Sequence, residues 1–196
     1  SRAAAARAFS SDSAFSPAEV GVLLTRMLRA VAFIHQIGIL HRDISPDNIL
    51  IDRNGKPVLI DFGAASEQLT PESRIVTARR VVKDGYSPHE LYLTGAEQTA
   101  ASDLYALGAT FYHVISGKAP PASQRRLAAL AGGTPDPCQP LAGRFAGFPP
   151  GFLESIDAAL RVLQKDRLQS ASDWIQLVQT SLAQDPAGPK APTSHT

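Results

Sequence analysis

Apolar residues recur at spacings of three and four from Val20 through Leu23, Leu24, Met27, Leu28 and Val31 to Ile34, one stripe along a helix and a core-facing one. The start is predicted at Ser16-Pro17-Ala18-Glu19, where Ser16 caps, Pro17 suits the first turn and Glu19 reaches back, and Gly38 is placed to close the helix. Ile49-Leu50-Ile51 and Val58-Leu59-Ile60 flank Asp52-Arg53-Asn54-Gly55, which predicts a small hairpin around an Asn-Gly turn. From Phe62 to Gly95 the periodicity lapses, and a long functional loop is expected. Helical spacing returns at Leu104, Leu107, Phe111, Val114 and Ile115, with Ser102 as the expected cap and Gly117 as the end. Tyr105 and Tyr112 make that helix apolar nearly all round, so it belongs at the centre of its domain. A short helix is expected near residues 123–131 and longer ones around 151–163 and 170–182.

The length of 196 residues allows one large domain with tails. Residues 1–15, rich in Ser and Ala, read as a flexible lead-in, and 185–196 as a disordered tail. A hydrophobic content of 44% is enough for a real core. The net charge of +1 leaves no field to favour nucleic acid or an anionic membrane as the main partner. Cys138, the single cysteine, closes no intramolecular disulfide and reads as an inert loop thiol. No apolar run approaches the roughly 20 residues of a membrane span, and no leader pattern opens the chain, so a cytoplasmic protein is expected. Ser1 in place of an initiating Met points to a piece of something longer.

Chemistry concentrates around the hairpin. His41-Arg42-Asp43-Ile44-Ser45-Pro46-Asp47-Asn48 precedes it, and Asp61-Phe62-Gly63 follows it. The fold-back of a hairpin brings Asp43, Asn48 and Asp61 to one cleft, three oxygen-bearing side chains of the kind that suit Mg2+ and phosphate. An isolated Asp-Phe-Gly would be weak, since a turn with a buried Phe accounts for it. Three more motifs follow in order: Gly85-Tyr86-Ser87-Pro88-His89-Glu90, then Ser102-Asp103-Leu104-Tyr105-Ala106-Leu107-Gly108, then Arg167 in Lys165-Asp166-Arg167-Leu168.

In this order and context the chain resembles the eukaryotic-type protein kinases, of the Ser/Thr kind that bacteria also carry. The resemblance implies a mainly α fold with a small β-hairpin, the family's C-terminal helical lobe, over residues 16–184. It implies ATP and Mg2+ as cofactors and a protein substrate. Asp43 then orients or accepts the proton of the substrate hydroxyl, Asn48 and Asp61 hold the metal, and Leu50 belongs to the nucleotide site. His41 and Phe62 fall in the family's hydrophobic spine, with Gly63 beside them. Asp103 braces the backbone of the catalytic loop, and Glu90 pairs with Arg167 in the interior. Arg42 is expected to clamp a phosphate on the long loop, with Thr77 the first candidate acceptor, Ser73 the second, and Thr70 and Ser66 behind them.

Two positions depart from the family pattern. Ser45 stands where its Ser/Thr members have a lysine two residues after the catalytic aspartate, and Lys83 stands where a threonine precedes the closing glutamate. An exchange of hydroxyl and ammonium between two loops, keeping the positive charge beside Asp43, is expected; the alternative leaves Lys83 in solvent and the site impaired. No glycine-rich phosphate loop or strand lysine precedes His41, so the N-terminal lobe is expected to be absent. The face it would cover, around Leu50, Phe62 and His41, offers an apolar surface for self-association. Two rival readings share parts of the pattern: a small-molecule phosphotransferase of kinase-like fold, and a pseudokinase that binds a partner through its helical lobe.

Overall fold

The computed structural model describes residues 7–9, 15–62 and 82–184. Helix α1 runs Pro17–Gln36, and its start is the predicted capping box: Ser16 Oγ accepts from the Glu19 N–H, and Glu19 Oε2 accepts from the Ser16 N–H at 2.7 Å. All seven residues of the apolar stripe are buried. The helix ends at a left-handed Gly38 (φ 78°), whose N–H donates to the His35 carbonyl.

Strands β2 (Ile49–Ile51) and β3 (Pro57–Leu59) form the predicted hairpin, with Leu50 opposite Val58. The Asp52 carboxylate accepts the N–H groups of Asn54 and Lys56 and so shapes the turn. A third strand, β1 (Arg7–Ala8), pairs antiparallel with β2, giving the order β1-β2-β3. Residues 7–9 of the expected lead-in are thus placed in the fold, while 1–6, 10–14 and the expected tail, 185–196, lie outside the described residues. Phe9 is fully buried, with its ring 5.5 Å from that of Phe15 and 5.4 Å from that of Phe111. Burial of a phenylalanine is worth about 2 kcal/mol, enough to hold a two-residue strand that sequence pattern could not reveal.

Helix α2 (Ala100–Ser116) is buried continuously from Ala101 to Tyr112 and lies at the centre, as its apolar circumference predicted. Its N-cap is Thr99 rather than Ser102. Ser102 sits at the third helical position, where its hydroxyl accepts the Thr99 N–H at 3.2 Å and donates to Glu90. Helices α3 (Ser123–Ala131), α4 (Phe152–Ala159) and α5 (Ala171–Ala183) complete the lobe, with 3-10 turns at Pro46–Asn48, His89–Tyr92 and Gln164–Asp166. α5 packs along α1, and α4 against both α2 and α5, so one hydrophobic core closes around Phe111, Tyr105, Phe152 and Trp174. The hairpin and the 39–48 connection sit on this core, and the chemistry sits on them.

Candidate active site

Two residues other than glycine take a positive φ among the described ones, Arg42 (66°) and Asp61 (62°). Each lies within one of the motifs. Such strain persists where surrounding bonds over-determine it, and functional sites are where it collects. For Arg42 the cause is Asp103 on α2, whose carboxylate accepts the His41 N–H at 2.8 Å and the Arg42 N–H at 2.8 Å. The same carboxylate takes a third bond from His35 Nε2 at 2.8 Å. Asp103 is 2% exposed, and three donors are what make a buried carboxylate tolerable there. His35 was not singled out from the sequence, because a histidine in the last turn of a helix is ordinary.

The turn that Asp103 holds aims Asp43 at Asn48 and Lys83. Asn48 Nδ2 donates to the Asp43 carbonyl at 2.7 Å and to its carboxylate at 2.8 Å. Lys83 Nζ lies 3.0 Å from Asp43 Oδ1 and 3.2 Å from Oδ2, and donates to Ser45 Oγ at 2.9 Å. The ammonium of the later loop therefore reaches the aspartate and the serine together, the contact expected of the exchanged pair. Ser45 is fully buried, where a free lysine ammonium would need its own acceptor.

Asp61 comes to the same place through the hairpin, since the Ile60 N–H donates to the Asn48 carbonyl at 2.9 Å. Asn48 Nδ2 is committed to Asp43, so the amide oxygen lies on its other edge. An amide oxygen and a carboxylate fit Mg2+, which takes few protein oxygens and completes its shell with water and phosphate. No cluster of three metal-binding His, Cys, Asp or Glu side chains occurs among the described residues.

His41 is fully buried, which corrects its place on an exposed apolar face. Its Nε2–H donates to the Ile60 carbonyl, its Nδ1 accepts the Asp43 N–H, and its ring lies 4.7 Å from Phe62 in an edge-on contact. Burial lowers its pKa, against the raising effects of Asp103, the Ile60 bond, Asp43 and Asp61, so this histidine is the neutral Nε2–H form. Phe62 is 42% exposed and Leu50 half-buried on β2.

Glu90 and Arg167 meet at 2.6 and 2.9 Å in a bidentate pair, with Ser102 Oγ donating to the same carboxylate at 2.8 Å. His89 joins them, its Nδ1 3.3 Å from Glu90 Oε2, at a position the sequence did not mark. Gly63, Thr77, Ser73, Thr70 and Ser66 lie outside the described residues.

A family model described as the protein kinase domain matches residues 3–181. Serine/threonine-protein kinase C of Synechocystis sp. is 32% identical over 181 residues, covering 88% of this chain and 31% of that protein. Serine/threonine-protein kinase PknA of Nostoc sp. is 30% identical over 181 residues, covering 87% and 30%. A solved structure described as the PpkA-294 apo form is 38% identical with a TM-score of 0.66, over 82% of this chain and 54% of that one. The chain thus spans about a third of the length of these curated relatives.

Proposed function

The chain belongs to the protein kinase family, and we propose that it is the catalytic lobe of a serine/threonine-protein kinase, passing the γ-phosphate of ATP to a Ser or Thr hydroxyl of a protein substrate. The observation that carries this reading is the Asp43 carboxylate, gripped by Lys83 on one side and the Asn48 amide on the other and still 19% exposed. A carboxylate so fixed is oriented in advance and remains open to an incoming hydroxyl.

In the proposed step the hydroxyl oxygen forms a bond to the γ-phosphorus while the bond to the bridging β-phosphate oxygen breaks. ADP leaves, and the hydroxyl proton passes to Asp43. Lys83 keeps a positive charge beside the transferring group, as phosphoryl transfer needs, and Ser45 holds that ammonium by accepting its hydrogen bond. Asn48 and Asp61 would hold Mg2+, which supplies neutralisation of the phosphate charge. Leu50 offers the nucleotide base an apolar surface on β2. The family's glycine-rich loop and strand lysine are not among residues 1–196, so nucleotide binding draws on chain beyond them. The exposed Phe62 supports the reading that the other lobe, or a second copy, rests there. We place Arg42 as a phosphate clamp for the loop, with Thr77 as its first acceptor. The reaction is assigned to the cytoplasm, where its nucleotide is available; no helix among the described residues is long and apolar enough to cross a membrane.

The test is phosphotransfer by the full-length protein. Lys83→Ala should lower turnover by about tenfold or more with nucleotide affinity nearly unchanged, since such contacts act mainly in the transition state. Ser45→Lys combined with Lys83→Thr should recover much of the loss. Full turnover by Lys83→Ala would remove the exchange from the mechanism. Nucleotide binding without any transfer by the unaltered protein would favour the pseudokinase reading.

A further inference from the structure

A cleft of about 490 Å3 opens between the end of α3, the loop that follows it and the connection from α4 to α5. This is the size of sites that take small organic molecules, roughly 300 to 1,000 Å3. Leu130, Leu160, Val162 and Leu163 make its apolar lining. Three carboxylates, Asp136, Asp157 and Asp166, stand on its wall with the guanidinium groups of Arg126 and Arg161, and the first two are held in different ways. Asp136 is neutralised by Arg126, 4% exposed, whose Nε and Nη2 donate at 3.0 and 2.8 Å. Asp157 instead accepts two backbone N–H groups, from Leu141 at 2.8 Å and Ala142 at 3.0 Å. Burial pushes the Asp157 carboxyl above its ordinary pKa, and Glu154 adds to the push while Arg144 and the two N–H groups oppose it. A cation brought into the cleft would add to the counter-charge that Arg144 supplies to Asp157.

The same wall supports the ion pair behind the candidate active site. The carbonyls of Arg161 and Val162, both on the cleft, accept from Arg167 Nε at 2.7 Å and Nη2 at 2.6 Å. The Arg167 guanidinium lies 4.8 Å over the Tyr105 ring, and the Tyr105 hydroxyl accepts from Arg126 Nη1 at 3.1 Å. Cleft and Glu90 are therefore separated by one side chain, Arg167, touched from both directions.

We propose that this cleft binds a small amphipathic amine, its alkyl body on the leucine-lined floor and its ammonium toward Asp157, and that occupancy is transmitted through Arg167 to Glu90. The site is independent of the phosphotransfer chemistry and would hold in a pseudokinase as well.

Cys138 is the chain's single cysteine and lines the cleft, so its alkylation by N-ethylmaleimide reports occupancy at one place. The probe is decylamine below its micellar concentration, with sodium decanoate as the control of equal length and opposite charge. Decylamine at ten times its dissociation constant should slow alkylation by about tenfold, as mass action requires, and decanoate should not. Leu130, 46% exposed at the rim, can be changed without opening the core. Leu130→Arg should weaken decylamine protection by about threefold and Leu130→Glu should strengthen it similarly, the scale of one exposed charge contact. His89 Nδ1 lies 3.4 Å from Arg167 Nη2, so its imidazole resonances should shift with the same concentration dependence. Unprotected Cys138, or equal protection by decanoate, overturns the site. Protection with unmoved His89 resonances overturns the coupling.

Discussion

Replacing Arg167 by Met isolates what the buried ion pair contributes. The Arg167 side chain is fully buried and that of Glu90 is 4% exposed, so solvent cannot take over the lost partner. The substitution removes both bonds to Glu90 and those to the carbonyls of Arg161 and Val162, leaving the carboxylate with the Ser102 hydroxyl and the neighbouring His89 ring. Breaking one side of a buried pair costs about 3–5 kcal/mol. The charge part has a ceiling, because Glu90 can escape by taking a proton. From an ordinary glutamic acid pKa of about 4.3, protonation at pH 7 costs roughly 3.7 kcal/mol, at 1.36 per unit. The variant should thus be about 3–4 kcal/mol less stable near neutrality, a fall in Tm of about 6–16 °C for a chain of this size. That deficit should shrink by about 1.4 kcal/mol for each pH unit on acidification toward the unfolded pKa. Urea denaturation of the chain and its variant at several pH values, followed by circular dichroism, measures both. Glu90→Leu added to Arg167→Met should recover most of the loss, since a packed apolar pair replaces an ionic one at little cost. A neutral-pH deficit under about 1 kcal/mol, or one indifferent to pH, would refute the account.

The unaltered protein should show the complementary pH dependence. Burial raises the Glu90 pKa, but the bonds and charge of Arg167 outweigh it and hold the group below its ordinary value, so its stabilisation is complete above the unfolded pKa and is lost as pH falls through the folded one. Acid titration of stability by intrinsic fluorescence of Trp174 checks this. Gly108 faces α4 where a side chain would be crowded: a Cβ there would stand 3.2 Å from Ala159 Cβ and 3.3 Å from Leu160 Cγ, so both would have to give way. Gly108→Ala should accordingly destabilise by about 1–3 kcal/mol despite its better helix propensity, and a more stable variant in a thermal melt would contradict the packing argument. Asp103→Asn keeps the shape but turns one acceptor into a donor facing an N–H group, which should cost about 2 kcal/mol in the chain and lower full-length turnover by releasing the Arg42 turn. Unchanged stability and turnover would place the Arg42 strain under other control.

Local signals in the chain carried the helices with strong apolar period and caps. Ser16, Glu19 and the stripe from Val20 to Ile34 act within one or two turns of backbone, so α1 was legible from spacing alone. The hairpin was legible for the same reason, its turn made by Asp52 and Gly55 within four residues. The order of motifs also carried the family, since each motif is contiguous. Other features needed distant partners. Strand β1 has two residues and no pattern; it exists because β2 offers an edge and the core has room for Phe9. Ser102 serves the cap from the third helical position and donates to Glu90, twelve residues earlier, a contact only the fold brings together. The Lys83 contact with Asp43 and Ser45 spans forty residues of chain, and sequence could name the partners while leaving open whether they meet. His35 and His89 were invisible for the same cause: a histidine becomes notable through the buried carboxylate it faces, and only the packing of α1 against α2, and of the closing turn against Arg167, brings those carboxylates within reach.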